Sequence, residues 1–220
     1  MIKLCVFDID GTLLNSIKSL SYAMTENMKI YGYKEIDIEH TRLFVGDGYE
    51  KFVERSLIYC GDTKLEHYNE ACKSYRKIFD ANCLKDVVPY EGMVETLGNL
   101  KKLGIMLEVL SNKPQPGAEE NIANFFEKDL FYRVYGERTG IPRKPDPTLL
   151  NLMLKELNIK KDECMYFGDT NTDMQTGKSA GVVTVGVTWG FRDRTELESF
   201  NPNHIIDKPT EILDLLKYHD

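Results

Sequence analysis

The sequence predicts an α/β fold: a Rossmann-like parallel sheet with helices on both faces, plus an inserted all-helical domain. Three observations predict it. The run Ile2 to Phe7 is apolar but for one lysine, which is how a strand reads when both its faces are buried. From Val87 onward, short apolar runs alternate with helical stripes, the pattern of parallel strands joined by helices. Between these two regions, residues 15–81 repeat apolar side chains at helical spacing only. The expected organisation is one α/β domain from 1–14 and 82–220, with 15–81 inserted as a helical domain.

The first strand runs into Asp8-Ile9-Asp10-Gly11-Thr12, where glycine permits a tight turn. Ile17, Leu20, Met24, Met28 and Tyr31 form the first helical stripe, with Ser16 as its cap and Gly32 as its stop. A polar stretch from Lys34 to Thr41 leads to Arg42-Leu43-Phe44-Val45-Gly46-Asp47-Gly48, read as a short glycine-bearing loop. Phe52, Val53, Leu57 and Cys60 predict a second helix, and Leu65, Tyr68, Cys72, Tyr75 and Phe79 a third. Beyond Val87 the expected order is a helix over 92–103, a strand over 105–110 and a helix over 117–125. A strand over 133–135 follows, then a helix with Asp146 as cap and Pro147 as first residue. Strands over 164–167 and 182–187 flank a helix containing Met174, Gly177 and Ala180. A short strand at Ile205-Ile206 and a helix over 212–216 close the chain.

With 42% hydrophobic and 29% charged residues, the chain reads as globular. A formal net charge of −7 argues against general binding to nucleic acid or to an anionic membrane, and no apolar run reaches the ~20 residues of a membrane span. Five cysteines at wide spacing, with no CxxC pair, suit reduced thiols in a cytoplasmic protein. Met1 leads directly into the first strand, which leaves no room for a signal peptide.

In a parallel sheet the carboxyl ends of the strands share one edge, where ligands bind. Asp8 and Asp10, Ser111 and Asn112, and Asp169 all follow strands, Asp173 stands four residues beyond Asp169, and Lys144 precedes a helix. Carboxylates gathered at one edge repel one another unless a cation joins them. A hard divalent ion such as Mg²⁺ fits few carboxylates plus a phosphate. The pattern is a phosphate held between a metal and a lysine, with a carboxylate placed to attack. Taken singly, each residue has a plainer reading: an Asx turn at Asp8–Gly11, a surface lysine, an acidic first helical turn at Asp169 or Asp173.

The chain resembles the haloacid dehalogenase superfamily of phosphohydrolases along its whole length. The resemblance rests on four motifs in order: Asp8-Ile9-Asp10-Gly11-Thr12, Ser111-Asn112, Lys144 before Pro145-Asp146-Pro147, and Gly168-Asp169-Thr170-Asn171-Thr172-Asp173. The helical insertion resembles the family's type 1 cap. Val45-Gly46-Asp47-Gly48 and Ser111-Asn112-Lys113-Pro114 resemble the phosphoglycolate phosphatase group. The resemblance implies Asp8 as nucleophile and Asp10 as general acid and base. It implies Mg²⁺ held by Asp8, the backbone carbonyl of Asp10 and Asp169, with Asp173 in support. Ser111 and the Asn112 N–H would hold phosphate oxygens, Thr12 would offer its hydroxyl and N–H, and Lys144 would neutralise Asp8 and the phosphate. On this reading Asp8, beside cation and lysine, stays ionised, while Asp10 is the candidate to hold a proton.

The implied activity is hydrolysis of a small phosphomonoester, with 2-phosphoglycolate one candidate. A phosphomutase of the β-phosphoglucomutase kind, a pyrophosphatase or nucleotide phosphatase of the same family, and a phospho-aspartate signalling module are the alternatives. In the insertion, Arg42 either binds a substrate carboxylate or pairs with a neighbouring acid, and Gly46 and Gly48 either admit substrate or break a helix. Trp189-Gly190-Phe191-Arg192 forms a loop at the edge of the site or packs the core. The expected partner is a small phosphorylated metabolite, and the expected state is monomer or homodimer.

Overall fold

The computed structural model describes residues 1–218. The chain divides into two compact units: Met1–Asn15 together with the chain from Pro89 onward, and Ser16–Val88. The α/β unit begins with β1 (Leu4–Phe7), every residue of which is buried, followed by the short β2 (Leu14–Asn15).

The helical unit holds α1 (Ile17–Ile30), α2 (Ile38–Phe44), α3 (Tyr49–Tyr59) and α4 (Tyr68–Asp80). The helix α2 corrects the expected polar stretch and loop. It is nucleated by the Asp37 carboxylate, which accepts the His40 N–H at 2.8 Å, and Thr41 is its buried residue, so no apolar stripe announces it. Arg42 therefore stands in a helix, not on a loop. Leu65 is not part of α4; the Asp62 carboxylate accepts the N–H groups of Glu66 and His67 and holds a turn there. The unit's core centres on Tyr75, which stacks with Phe79 and meets Phe52 edge-on, both with ring centroids 5.7 Å apart. Residues 82–88 also belong to this unit: the Ser19 hydroxyl donates to the Asn82 carbonyl, and Cys83 and Val87 are buried.

After β3 (Val88–Pro89) come α5 (Met93–Lys102), β4 (Met106–Pro114), α6 (Gln115–Phe125), β5 (Arg133–Glu137) and α7 (Thr148–Leu157). They are followed by β6 (Cys164–Gly168), α8 (Asn171–Ala180), β7 (Val183–Val187), α9 (Arg194–Ser199), β8 (His204–Ile206) and α10 (Ile212–Leu216). Six strands form one parallel sheet in the order β5-β4-β1-β6-β7-β8, with β1 between β4 and β6. The helix α9 is not among the expected elements, and two boundaries shift. The strand β4 continues through Ser111-Asn112-Lys113-Pro114, and α7 starts one residue later, with Asp146 accepting the Thr148 N–H at 2.8 Å. All five cysteines are free thiols, and no helix among the described residues is long and apolar enough to cross a membrane.

One acid inside the sheet has a measurable consequence. Glu108 on β4 is 1% exposed, in register with Val6 and Arg133. Burial pushes its carboxyl up to about 7, against the pull of Arg133 and with a push from Glu156. A folded-state value above the unfolded one means stability that is whole below about 4.5 and lost as pH rises through about 7. Glu108→Gln should match the wild type at pH 5 and exceed it at pH 8.5, by at most about 3 kcal/mol. Urea unfolding at the two pH values measures this; an equal difference at both would contradict it.

Candidate active site

Asp8 follows β1 directly, and its N–H still joins the ladder by donating to the Phe167 carbonyl at 3.0 Å. The chain then folds back on itself, the Ile9 carbonyl accepting the N–H groups of Leu13 and Leu14. Gly11 sits at φ +88°, and a Cβ there would lie 2.1 Å from Asp169 Oδ2. Only glycine therefore allows both the turn and the approach of Asp169 from β6.

Asp8, Asp169 and Asp173 are all buried, and one carboxylate oxygen from each lies within 4.8 Å of the others. The ammonium of Lys144 is set among them, 3.0 Å from Asp8 Oδ1 and 2.7 Å from Asp173 Oδ1. Asn112 fixes the lysine's backbone: its Oδ1 accepts the Lys144 N–H and its Nδ2 donates to the Lys144 carbonyl, each at 3.0 Å. Sequence reasoning considered only the Asn112 N–H; the side chain's work is to hold Lys144. Ser111 hydrogen-bonds Asp8, as its place at the end of an adjacent strand allows.

Asp173 stands in the first turn of α8, as its plainer reading expects. With Thr170 it caps α8, accepting the Thr170 N–H and hydroxyl on Oδ2 at 3.1 and 2.6 Å. Its Oδ1 accepts the Lys144 ammonium and the Tyr166 hydroxyl, both at 2.7 Å. A carboxylate offers about four lone-pair sites, and all are taken. Tyr166 was missed because a tyrosine in an apolar strand reads as core.

Thr12 has partners within the fold. Both groups it was expected to offer are used inside the fold: its hydroxyl donates to Asp169 Oδ1 at 2.9 Å and its N–H to the Ile9 carbonyl at 3.3 Å. Asp169 Oδ2 accepts the Phe191 N–H at 2.8 Å, so each oxygen keeps one lone pair for a ligand. The Asp10 carboxylate stands outside the acidic trio and pairs with Lys113 Nζ at 2.8 and 3.1 Å. The Lys113 side chain is 1% exposed. It was visible in Ser-Asn-Lys-Pro, but only the continuation of β4 turns it toward Asp10.

The electrostatics follow from burial. Burial pushes Asp8 up to about 6; Lys144 and the Ser111 hydrogen bond lower it, and Asp173 and Asp10 raise it. Desolvation outweighs the lysine in this balance. Burial, then repulsion from Asp173 and Asp8, holds Asp169 well above the ordinary carboxylate range. Burial acts the same way on Asp173, but the Lys144 charge and hydrogen bonds from Lys144, Thr170 and Tyr166 win and leave it lowered. Burial works against the Lys144 charge, and the two acids beside it more than offset that. Three buried carboxylates lie together while the ammonium pairs with Asp8 and Asp173, and the open lone pairs on Asp8 and Asp169 suit a divalent cation of the Mg²⁺ type.

Arg42, Gly46 and Gly48 belong to the helical unit. The segment carrying the glycines is tied within that unit by Arg55, which donates to the Phe44 carbonyl at 2.8 Å and to Asp47 Oδ2 at 2.5 Å.

A family model described as haloacid dehalogenase-like hydrolase matches residues 5–187. The phosphoglycolate phosphatase of Vibrio parahaemolyticus is 27% identical over 98% of this chain and 96% of its own length. The phosphoglycolate phosphatase of Aquifex aeolicus is 28% identical over 99% of this chain and 98% of its own. Among solved structures, one described as a predicted phosphoglycolate phosphatase from Haemophilus somnus superposes with a TM-score of 0.91. It is 23% identical and covers 98% of each chain, a likeness of fold.

Proposed function

The chain belongs to the haloacid dehalogenase-like hydrolases, and we propose that it is a Mg²⁺-dependent phosphatase of small phosphomonoesters, 2-phosphoglycolate the leading candidate, acting through an aspartyl-phosphate. The observation that carries this reading is the Asp8 carboxylate held beside Lys144 and Asp169 at the carboxyl edge of the sheet. The curated relatives' names support the choice of substrate.

Asp8 is the nucleophile. Its oxygen forms a bond to phosphorus while the ester P–O bond breaks, and Asp10 gives its proton to the departing alkoxide. Water then attacks the aspartyl-phosphate, Asp10 takes the water's proton, and inorganic phosphate leaves as Asp8 is restored. Lys144 holds Asp8 in place and offsets its charge, and Ser111 and the Asn112 N–H receive phosphate oxygens. Asp8, the backbone carbonyl of Asp10 and Asp169 are the residues that would hold Mg²⁺, which neutralises charge on the transferring group. Asp173, whose four acceptor sites are occupied, positions Lys144 and ligates no metal directly.

Phosphate release from a panel tests this: phosphoglycolate, sugar phosphates, nucleotides and pyrophosphate, each with Mg²⁺ and with EDTA. Release from a small phosphoacid, abolished by EDTA, is the expected result. No release, with Asp8 still labelled by a phosphodonor, would turn the reading toward a mutase or a phosphorylated switch. Neither release nor labelling would refute it.

A further inference from the structure

The loop after β7 contains the single tryptophan of the chain, and none of the roles assigned above uses it. Trp189 does not simply fill space. Its indole N–H donates to the Thr12 carbonyl at 3.0 Å, and its ring meets that of Tyr90 with centroids 6.3 Å apart. Thr12 in turn donates its hydroxyl to Asp169 Oδ1, and Phe191, two residues past the indole, donates its N–H to Asp169 Oδ2. Between them, Gly190 lies flat against the acid: a Cβ there would sit 2.3 Å from Asp169 Cβ. The two donors that orient Asp169 come from loops far apart in sequence, after β1 and after β7. The indole hydrogen bond joins one loop to the other.

We propose that Trp189 is a positioning residue for the metal-binding carboxylate of Asp169, acting by locking the Thr12 turn to the Gly190–Phe191 turn. The proposal rests on the reading of Asp169 as a magnesium ligand given above. With both oxygens oriented by fixed donors, their remaining lone pairs point in set directions, and a cation that tolerates little distortion benefits most. Without the indole N–H, Thr12 and Phe191 can shift relative to each other, and the acid between them loses its aim.

The experiment is calorimetric titration with magnesium chloride alone. It compares the wild type, Trp189→Phe, and protein carrying 3-benzothienylalanine at position 189, which replaces the indole N–H with sulfur at nearly constant shape. Loss of a hydrogen bond that orients a metal ligand typically weakens metal affinity about 10- to 100-fold. Both variants should show a weakening in that range. The magnesium activation constant should rise to match, while KM for the phosphoester at saturating magnesium and Tm in EDTA stay near wild type. A magnesium Kd within twofold of wild type in the benzothienyl protein would overturn the proposal, whatever Trp189→Phe does to folding. A wild type that binds no magnesium would overturn the reading of Asp169 as a ligand, and the proposal with it.

Discussion

Asp8→Asn should abolish phosphate release, by on the order of 10⁴-fold or more, and leave the metal-free protein more stable than the wild type. The first effect follows from chemistry. The carboxamide has nearly the shape of the carboxylate but no anionic oxygen to attack phosphorus, so the covalent route is lost rather than slowed. The second follows from burial. Asp8 is 8% exposed, and its carboxyl is raised from 3.8 to about 6, mainly by desolvation and against the pull of Lys144. A raised folded-state value contributes stability that is present below the unfolded value and lost as pH rises through about 6. At pH 7.5 in EDTA the ionised acid is therefore a cost, which the amide removes for a gain of at most about 3 kcal/mol. Lys144 keeps Asp173 as its partner in the variant. Denaturant unfolding in EDTA and a phosphate-release assay in Mg²⁺ should move in opposite directions. Turnover within about 100-fold of wild type would remove Asp8 from the role of nucleophile.

That opposition explains which parts of the molecule can be read from its sequence. The strand β1 is legible because it is buried on both faces, and the residues following β1 and β6, with Ser111 late in β4, are legible because a parallel sheet brings them to one edge. Asp8, Ser111, Lys144, Asp169 and Asp173 are brought together on that logic, over separations that periodicity alone cannot bridge. The helices that escape notice are α2 and α9, each of which buries a single residue, Thr41 and Leu197. Both start from an aspartate cap, Asp37 and Asp193, so the signal is one side chain rather than a stripe. The supporting shell of the site is harder still. Tyr166 and Trp189 have the composition of core, and their hydroxyl and indole N–H acquire a role only through partners fixed by the fold. The Thr12 hydroxyl is a further case: its donation to Asp169 depends on a partner 157 residues away that only the fold supplies.

Lys144→Met should destabilise the protein by about 3–5 kcal/mol and cut turnover by at least about 10³-fold. The side chain is 3% exposed and stands between Asp8 and Asp173. Removing it leaves two buried acids, with Asp169 close by, and no ammonium to offset them. Methionine keeps much of the volume, so the loss reports charge more than cavity. Lys144→Arg should not rescue turnover, because a planar fork held by its own geometry cannot replace a compact ammonium between two carboxylates. Stability and catalysis can then be separated. In Lys144→Met with Asp173→Asn, the acid freed by the first change is neutralised by the second. The double variant should be more stable than the sum of the single losses predicts, by about 2 kcal/mol or more. Turnover should stay at the level of Lys144→Met, since Asp8 still lacks its cation partner. Additive stability losses around that cycle would mean that the lysine and Asp173 are neighbours without being a coupled pair.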